Sequence, residues 1–348
     1  MSKVLLITDQ HFGVRNDNLH YVERYRKFYT EIVLPKIDEE GITEVLCLGD
    51  TFDRRKGVNF ASLEAAKEMW FRPLEERGVK MTMLLGNHDI YFKNTLRVNS
   101  PELLLGEFDN IEIIYCPGER LIGGKKMMLV PWICEENREA TWEAIQDTDA
   151  DYCMGHFELN GFDPIPGYTM THGDDPTPFK KFKMVCTGHY HVKSTKANIS
   201  YLGNPCQLYW NDYGQKRGFH ILNTRGKGSL KFYENPFDTF HKIYYNDETS
   251  LSPVDIKNLD GMYVKVIVEE KKDQLKFDSL VRRLQAADLA DLKIIEDMAY
   301  ELDDVDNDVE IEDTLTILEQ CVSDFENKEG IFKILKSLYM EASDVCAT

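Results

Sequence analysis

Three short, uninterrupted apolar runs in this chain end in polar chemistry. KVLLIT (3–8) leads into Asp9 and His11, EVLCLGD (44–50) ends on Asp50, and KMTMLLGNHD (80–89) delivers Asn87, His88 and Asp89. Runs of this length read as strands buried on both faces, with chemistry placed just beyond their C-terminal ends. Helical patterns lie between them, over 19–40 with a stop at Gly41 and over 59–78 with a stop at Gly78. Strand, helix, strand, helix, strand predicts an α/β sheet with right-handed crossovers.

The rhythm then changes. IEIIYC, KKMMLVPWI, DYCMGHF, FKMVCTGHYH, ISYLGNP and GFHILNT are short strands at close spacing, with a helix over roughly 137–147. A four-layer α/β/β/α sandwich over 1–240 fits this pattern. Beyond 240, the alternating strand GMYVKVIVEE (261–270) and the amphipathic stretch LKFDSLVRRLQAAD (275–288) predict a small α/β cap over 241–296. Residues 297–313 belong to an intensely acidic stretch without Lys or Arg, expected to be a solvated linker. Residues 314–348 return to helical spacing, as a partner-docking helix pair or one folded back on the cap.

Composition narrows the class without choosing a function. The 348 residues, 43% hydrophobic and 29% charged, suit an ordinary globular protein with a substantial core. The N-terminal apolar run is too short for a signal peptide, and no stretch reaches the ~18 apolar residues of a membrane span. Eight scattered cysteines without a C-x-x-C pair imply reduced thiols and a cytoplasmic setting. A net charge of −19 argues against a general electrostatic grip on nucleic acid, but acidic side chains also gather cations.

The polar residues at strand ends form an ordered series: TDQH with Asp9 and His11, GDTFD with Asp50 and Asp53, GNHD with Asn87, His88 and Asp89, MGHF with His156, and TGHYH with His189 and His191. Glycines beside the candidates let the backbone turn a side chain into a common cleft. Taken singly, Asp9 and His11 would pass as a polar strand end, Asp50 as a helix N-cap and GNHD as a turn. Together, carboxylate, imidazole and amide oxygen without thiolate suit manganese, iron or zinc in a catalytic site. The ligands exceed what one cation needs and suit two that share a bridging carboxylate, the arrangement used in phosphoryl transfer.

This ordered set resembles the calcineurin-like metallophosphoesterase superfamily across residues 1–240. The resemblance implies one metal held by Asp9, His11, Asp50 and His191, and a second held by Asp50, Asn87, His156 and His189. It implies that His88 is the non-ligand catalytic histidine and that Asp89 orients it. GDTFDRRKG, LLGNHDIYFKN, VPWICEEN, MGHFELNGF and TGHYHVKS, followed by a cap and helices, further resemble the SbcD-type double-strand-break repair nucleases, most closely their T-even-type bacteriophage branch. That likeness implies manganese dependence, 3′-to-5′ exonuclease action on duplex DNA, endonuclease action on single strands, an SMC-like ATPase partner and a homodimer. It places the chain in the cytoplasm, the host's for a phage-encoded protein. Asp53 departs from the histidine that some cellular members carry there.

Candidate DNA contacts are Arg54, Arg55 and Lys56 beside the Asp50 motif, and Lys93 and Arg97 after GNHD. Those charges would equally serve to offset local acidity. Tyr91, Phe92, Tyr190, Tyr209 and Trp210 are more simply core than base-stacking platforms. Helix 59–77, with Phe60, Leu63, Ala66, Met69 and Trp70, is the candidate dimer surface, although such a stripe is more often core. The competing readings are a phosphatase or phosphodiesterase for a small or protein substrate, and a metal-ordered scaffold for the ATPase.

Overall fold

The computed structural model describes residues 2–226 and 228–296, together with Phe332, Ile334 and Leu335. The first of two units in the chain, Met1–Glu296, carries everything below. The linker expected over 297–313 and the helix pair expected over 314–348 lie outside the described residues, except that Phe332, Ile334 and Leu335 are helical.

The strands, in chain order, are β1 (Lys3–Ile7), β2 (Glu44–Cys47), β3 (Lys80–Leu84), β4 (Ile111–Ile114), β5 (Gly118–Ile122), β6 (Lys125–Val130), β7 (Tyr152–His156), β8 (Met184–Gly188), β9 (Ser194–Lys196), β10 (Ile199–Tyr201), β11 (Gly218–Asn223), β12 (Ser229–Glu234), β13 (Phe240–Tyr245), β14 (Tyr263–Val268) and β15 (Asp291–Ile295). The first sheet has the order β12-β11-β1-β2-β3-β4 and the second β5-β6-β7-β8-β10-β9. β1 through β4 run parallel, as do β6, β7, β8 and β10, while the flanking strands pair antiparallel.

Alternation along each strand builds the layers. Val4, Leu6, Leu46, Leu48 and Leu84 face Met127, Leu129, Met154 and Cys186 of the other sheet. The opposite faces of the same strands, Leu5, Ile7, Val45 and Met81, pack on Tyr25, Phe28, Tyr29 and Trp70 of the helices. Met128, Val130, Cys153 and Val185 meet Ile145 and Phe179 on the far side of the second sheet. The result is the expected mixed α/β sandwich, with strands buried on both faces. Cutting a fully buried side chain such as Leu46 back to alanine would cost about 2–5 kcal/mol.

Two helices differ from the uninterrupted stretches the sequence predicts. Each widens into a π-helical turn, at Tyr29–Val33 and Lys67–Phe71, and resumes at Leu34–Glu40 and Arg72–Glu76. Pro35 and Pro73 follow these turns after one intervening residue; a proline has no N–H and crowds the carbonyl four residues back, and a wider turn relieves both problems. The two wide turns pack together, with the Tyr29 and Trp70 rings 4.9 Å apart. Ala66, Met69 and Trp70 of the candidate dimer stripe are therefore core, Leu63 is half-buried, and Phe60 alone of the five is exposed.

Strands β13, β14 and β15 form an all-parallel three-stranded sheet covered by Pro253–Lys257 and Gln274–Gln285. Its core is its own, built on Ile243, Val264, Val266, Phe277, Leu280 and Leu284. Among the described residues no helix is long and apolar enough to cross a membrane. The six described cysteines are free thiols, all buried except Cys116.

Candidate metal centre

The parallel halves of the two sheets end at one cleft, and the strand ends deliver Asp9, His11, Asp50, Asn87, His88, His156, His189 and His191 to it. The delivery relies on backbone strain. Asp9, His11, Asp50 and His189 sit at φ of 50°, 46°, 54° and 88°, left-handed conformations that a residue with a β-carbon rarely adopts. Each costs roughly 1–2 kcal/mol, and such strain clusters at functional sites. Neighbouring loops lock it in place. The backbone N–H of Asp9 donates to Gly49 (3.0 Å), that of His11 to Asp50 (3.1 Å), and that of His189 to the Asp9 carboxylate (3.0 Å).

The motif glycines divide their work. Gly49, at φ 103°, makes the sharp turn expected of it. Gly86 and Gly188 serve close approach instead. A β-carbon on Gly86 would lie 2.1 Å from the Asp50 Oδ1, and one on Gly188 would lie 2.0 Å from the Thr8 Oγ1.

Ligand-type atoms converge in overlapping groups: Asp9, His11 and His191; Asp50, His156 and His189; and His11, Asp50 and His88. The Asn87 Oδ1 lies 3.0 Å from both His156 Nε2 and His189 Nδ1. His156 Nδ1 donates to the Leu48 carbonyl at 2.7 Å, which leaves Nε2 facing Asn87 and Asp50, the latter 3.3 Å away. These positions favour positive charge at Nε2, a proton or a metal ion in its place. His11 makes the same demand from the other side. Both its ring nitrogens are buried without a hydrogen bond among the described residues, 3.7 Å from Asp50 and 3.5 Å from Asp53.

The electrostatics agree. Burial works against charge on His11, yet Asp53, Asp50 and Asp9 overcome it and raise the ring to about 9. His156 is likewise opposed by burial and raised to about 9 by Asp50 and Asp9. Asp50 lies well below the usual carboxylate range despite its burial, because His156, His88 and His11 surround it. Burial, with His11 and Arg217 nearby, holds His191 well below the ordinary imidazole value and so neutral. This donor set fits divalent cations, with neutral imidazoles as ligands and carboxylates supplying the charge.

His88 and Asp89 take separate tasks. The His88 ring holds the Asp53 carbonyl through Nδ1 at 2.5 Å, and its backbone N–H donates to Asp50 at 2.8 Å. Asp89 was expected to orient that ring. Instead, its buried carboxylate accepts the backbone N–H groups of Asp50, Thr51 and Gly86 at 2.8, 2.9 and 2.9 Å, tying the Asp50 loop to the GNHD loop. Burial and the neighbouring Asp50 raise Asp89 to about 6, against the lowering effect of those donors.

Arg54 and Lys56 are exposed at the cleft edge and Arg55 is half-buried; the Arg54 guanidinium donates to Asn16. Lys93 and Arg97 are exposed, with Arg97 paired to Glu136 at 2.6 Å. Tyr190 is core and Tyr209 and Trp210 are half-buried, but Tyr91 and Phe92 stand exposed as an edge-to-face pair 4.8 Å apart, contrary to the core expectation.

Two supports were not anticipated. Arg217, buried on the approach to β11, donates to the His191 carbonyl and pairs with Asp212 at 2.5 Å. Trp132 packs its indole against His189 and His156, with ring centroids 5.0 and 5.9 Å away. An isolated arginine before an apolar run carries no motif, whereas Trp132 lies inside the recognised stretch VPWICEEN.

Residues 2–193 match the family model described as calcineurin-like phosphoesterase. Exonuclease subunit 1 of Enterobacteria phage T4 is 30% identical to the chain over 352 aligned positions, spanning 98% of this chain and 99% of that relative.

Proposed function

Because the chain belongs to the calcineurin-like phosphoesterase family and is a metal-dependent hydrolase of phosphodiester bonds, we propose that it is a two-metal DNA nuclease subunit of a larger assembly. The observation that carries this reading is the convergence of two ligand groups on Asp50. Asp9, His11, Asp50 and His191 would hold one cation and Asp50, Asn87, His156 and His189 the other. Two divalent cations there, manganese in this reading, would stabilise charge on the attacking and leaving oxygens of a phosphodiester.

The chain's own groups complete the chemistry. With Nδ1 committed to the Asp53 carbonyl, the proton His88 can give or take resides on Nε2, beside Asp50 and His11. His88 is half-buried and thus within reach of a leaving oxygen. Asp89 fixes the backbone that presents both Asp50 and His88.

The substrate in this reading is DNA, attacked 3′-to-5′ on duplex ends and internally on single strands. Arg54, Arg55, Lys56 and Lys93 are basic residues on loops next to the site, and Arg97 pairs with Glu136. The relative's name, an exonuclease subunit, supports both the nuclease and a partner. The partner is an SMC-like ATPase docked on the cap (241–296) and the segment 314–348, joined by a linker over 297–313. The nuclease domain spans 1–240, the protein acts as a homodimer in the host cytoplasm, and the acidic chain alone holds DNA weakly.

The test is manganese-dependent cleavage of labelled duplex and single-stranded DNA by wild type and His88→Ala at matched metal content. Cleavage that falls by roughly 10²–10⁴ in the variant places proton transfer at His88. If no DNA is cut with or without an ATPase partner while p-nitrophenyl phosphate is turned over, the protein is a phosphatase.

A further inference from the structure

Beside the Asp50–His156–His189 group opens a cavity of about 280 Å³, bounded by Trp132, Arg138, His156, Phe157, Glu158 and Asp174. We propose that it receives one unstacked nucleobase, that of the nucleotide adjoining the phosphodiester being cut. The assignment rests on the nuclease reading above.

Position comes first. His156 is at once a cavity wall and a member of the ligand group, so an occupant lies within one nucleotide of the reacting phosphate. Size is the second argument, because about 280 Å³ stands at the lower end of small-molecule sites, which begin near 300 Å³. That space is large enough for one base.

The wall chemistry is the third. Trp132 is a half-buried aromatic whose backbone N–H donates to the Leu85 carbonyl at 2.7 Å and whose backbone carbonyl accepts from Asn137 at 2.9 Å, and its ring packs on His189 and His156. A fixed indole beside a cavity offers a stacking face to any base. Glu158 and Asp174 add carboxylate oxygens, and Arg138 is paired to Asp174 at 2.6 Å. Carboxylates repel a second phosphate but accept N–H groups from a base edge. The wall is also built for its shape. Leu159 bridges to Asp174, and Gly173 takes φ 100° where a β-carbon would lie 2.7 Å from the Glu158 carbonyl.

The experiment compares two oligonucleotides on the full chain with manganese, one normal and one whose terminal nucleotides at both ends are tetrahydrofuran abasic residues. Bis(p-nitrophenyl) phosphate, a diester without a base, reports the metal chemistry alone. We expect wild type to release the normal terminal nucleotide about tenfold faster than the abasic one, and Trp132→Leu to bring that ratio near one while Trp132→Phe preserves it. Because each ratio is taken within one protein, a general loss of activity cancels. Equal rates on both ends in wild type, or an unchanged ratio in Trp132→Leu, would overturn the pocket assignment. Turnover of the diester with neither oligonucleotide cut, with or without an ATPase partner, would instead break the nuclease reading, and the pocket assignment with it.

Discussion

The two ligand groups around Asp50 are built on different principles. The Asp50–His156–His189 group is fixed by hydrogen bonds: His156 Nδ1 on the Leu48 carbonyl, both rings on Asn87, and Trp132 packed behind them. The Asp9–His11–His191 group leans more on charge. Left-handed residues occur in both groups, Asp9 and His11 here and Asp50 and His189 there, but the His11 ring has carboxylates near it and no hydrogen bond among the described residues. Hydrogen bonds that fix tautomer and orientation raise the affinity of a metal ligand. The His156 group should therefore fill at the lower free metal concentration, and the His11 group should be where affinity is tuned.

The largest effect belongs to Asp50, which stands in the His156 group, lies 3.7 Å from His11 of the other and would bridge the two cations. Asp50→Asn should abolish two-metal binding and reduce DNA cleavage by more than roughly 10⁴, beyond what proton transfer alone contributes. Calorimetric titration with manganese checks this. Two sites of wild-type affinity in the variant would mean that the groups are independent and the comparison misplaced.

Arg217→Leu separates the groups. It strands Asp212 in the interior and frees the His191 carbonyl. Breaking a buried pair by removing one partner costs about 3–5 kcal/mol, visible as a lower melting temperature. The weaker manganese site should lose a further 10–100-fold while the tighter one holds. Equal loss at both sites would show that Arg217 supports the fold alone.

A third effect concerns the sheet beneath the His11 group. His220 on β11 sits opposite Leu6 of β1, buried, with Nδ1 lacking a hydrogen bond among the described residues. Burial, aided by Lys193, pushes it down to about 3. The unfolded chain binds this proton near pH 6.5 and the folded one does not, so stability is complete above pH 6.5 and declines as pH falls toward 3. At pH 5 the loss is about 2 kcal/mol. His220→Phe should flatten that acid limb in urea melts of metal-free protein, and an unchanged limb would point to other groups.

How far the sequence foretold this molecule follows from the range of the interactions involved. The buried parallel strands and their chemistry were legible because apolar continuity and a terminal carboxylate or imidazole are adjacent in the chain. The β5–β6 hairpin was missed although Gly123-Gly124, both at positive φ, is a hairpin signal. β9 and β12 pair antiparallel with their neighbours β10 and β11 but are short or exposed on one face, whereas β13 and β15 pair with β14 more than twenty residues away. Arg217 and the carbonyl of Asp53 act through contacts across 26 and 35 residues, which no local pattern records. Left-handed Asp9, His11 and Asp50 were equally hidden, since nothing in a side chain announces strain imposed by a neighbouring loop.

Asp53 offers the finest test of the comparison. Its carboxylate lies 3.5 Å from His11 Nδ1, whereas its carbonyl, not its side chain, holds His88. Asp53→Asn thus removes charge beside His11 and leaves the His88 hydrogen bond available. The carboxylate is partly open to water, 17% exposed, which puts the effect at the small end of what an outer partner contributes, about tenfold in affinity at the weaker manganese site. Cleavage at saturating manganese should stay within a few-fold of wild type. A large fall in turnover at saturation, with affinity unchanged, would mean that the Asp53 side chain serves His88 after all, and that the difference between the two groups does not run through charge at His11.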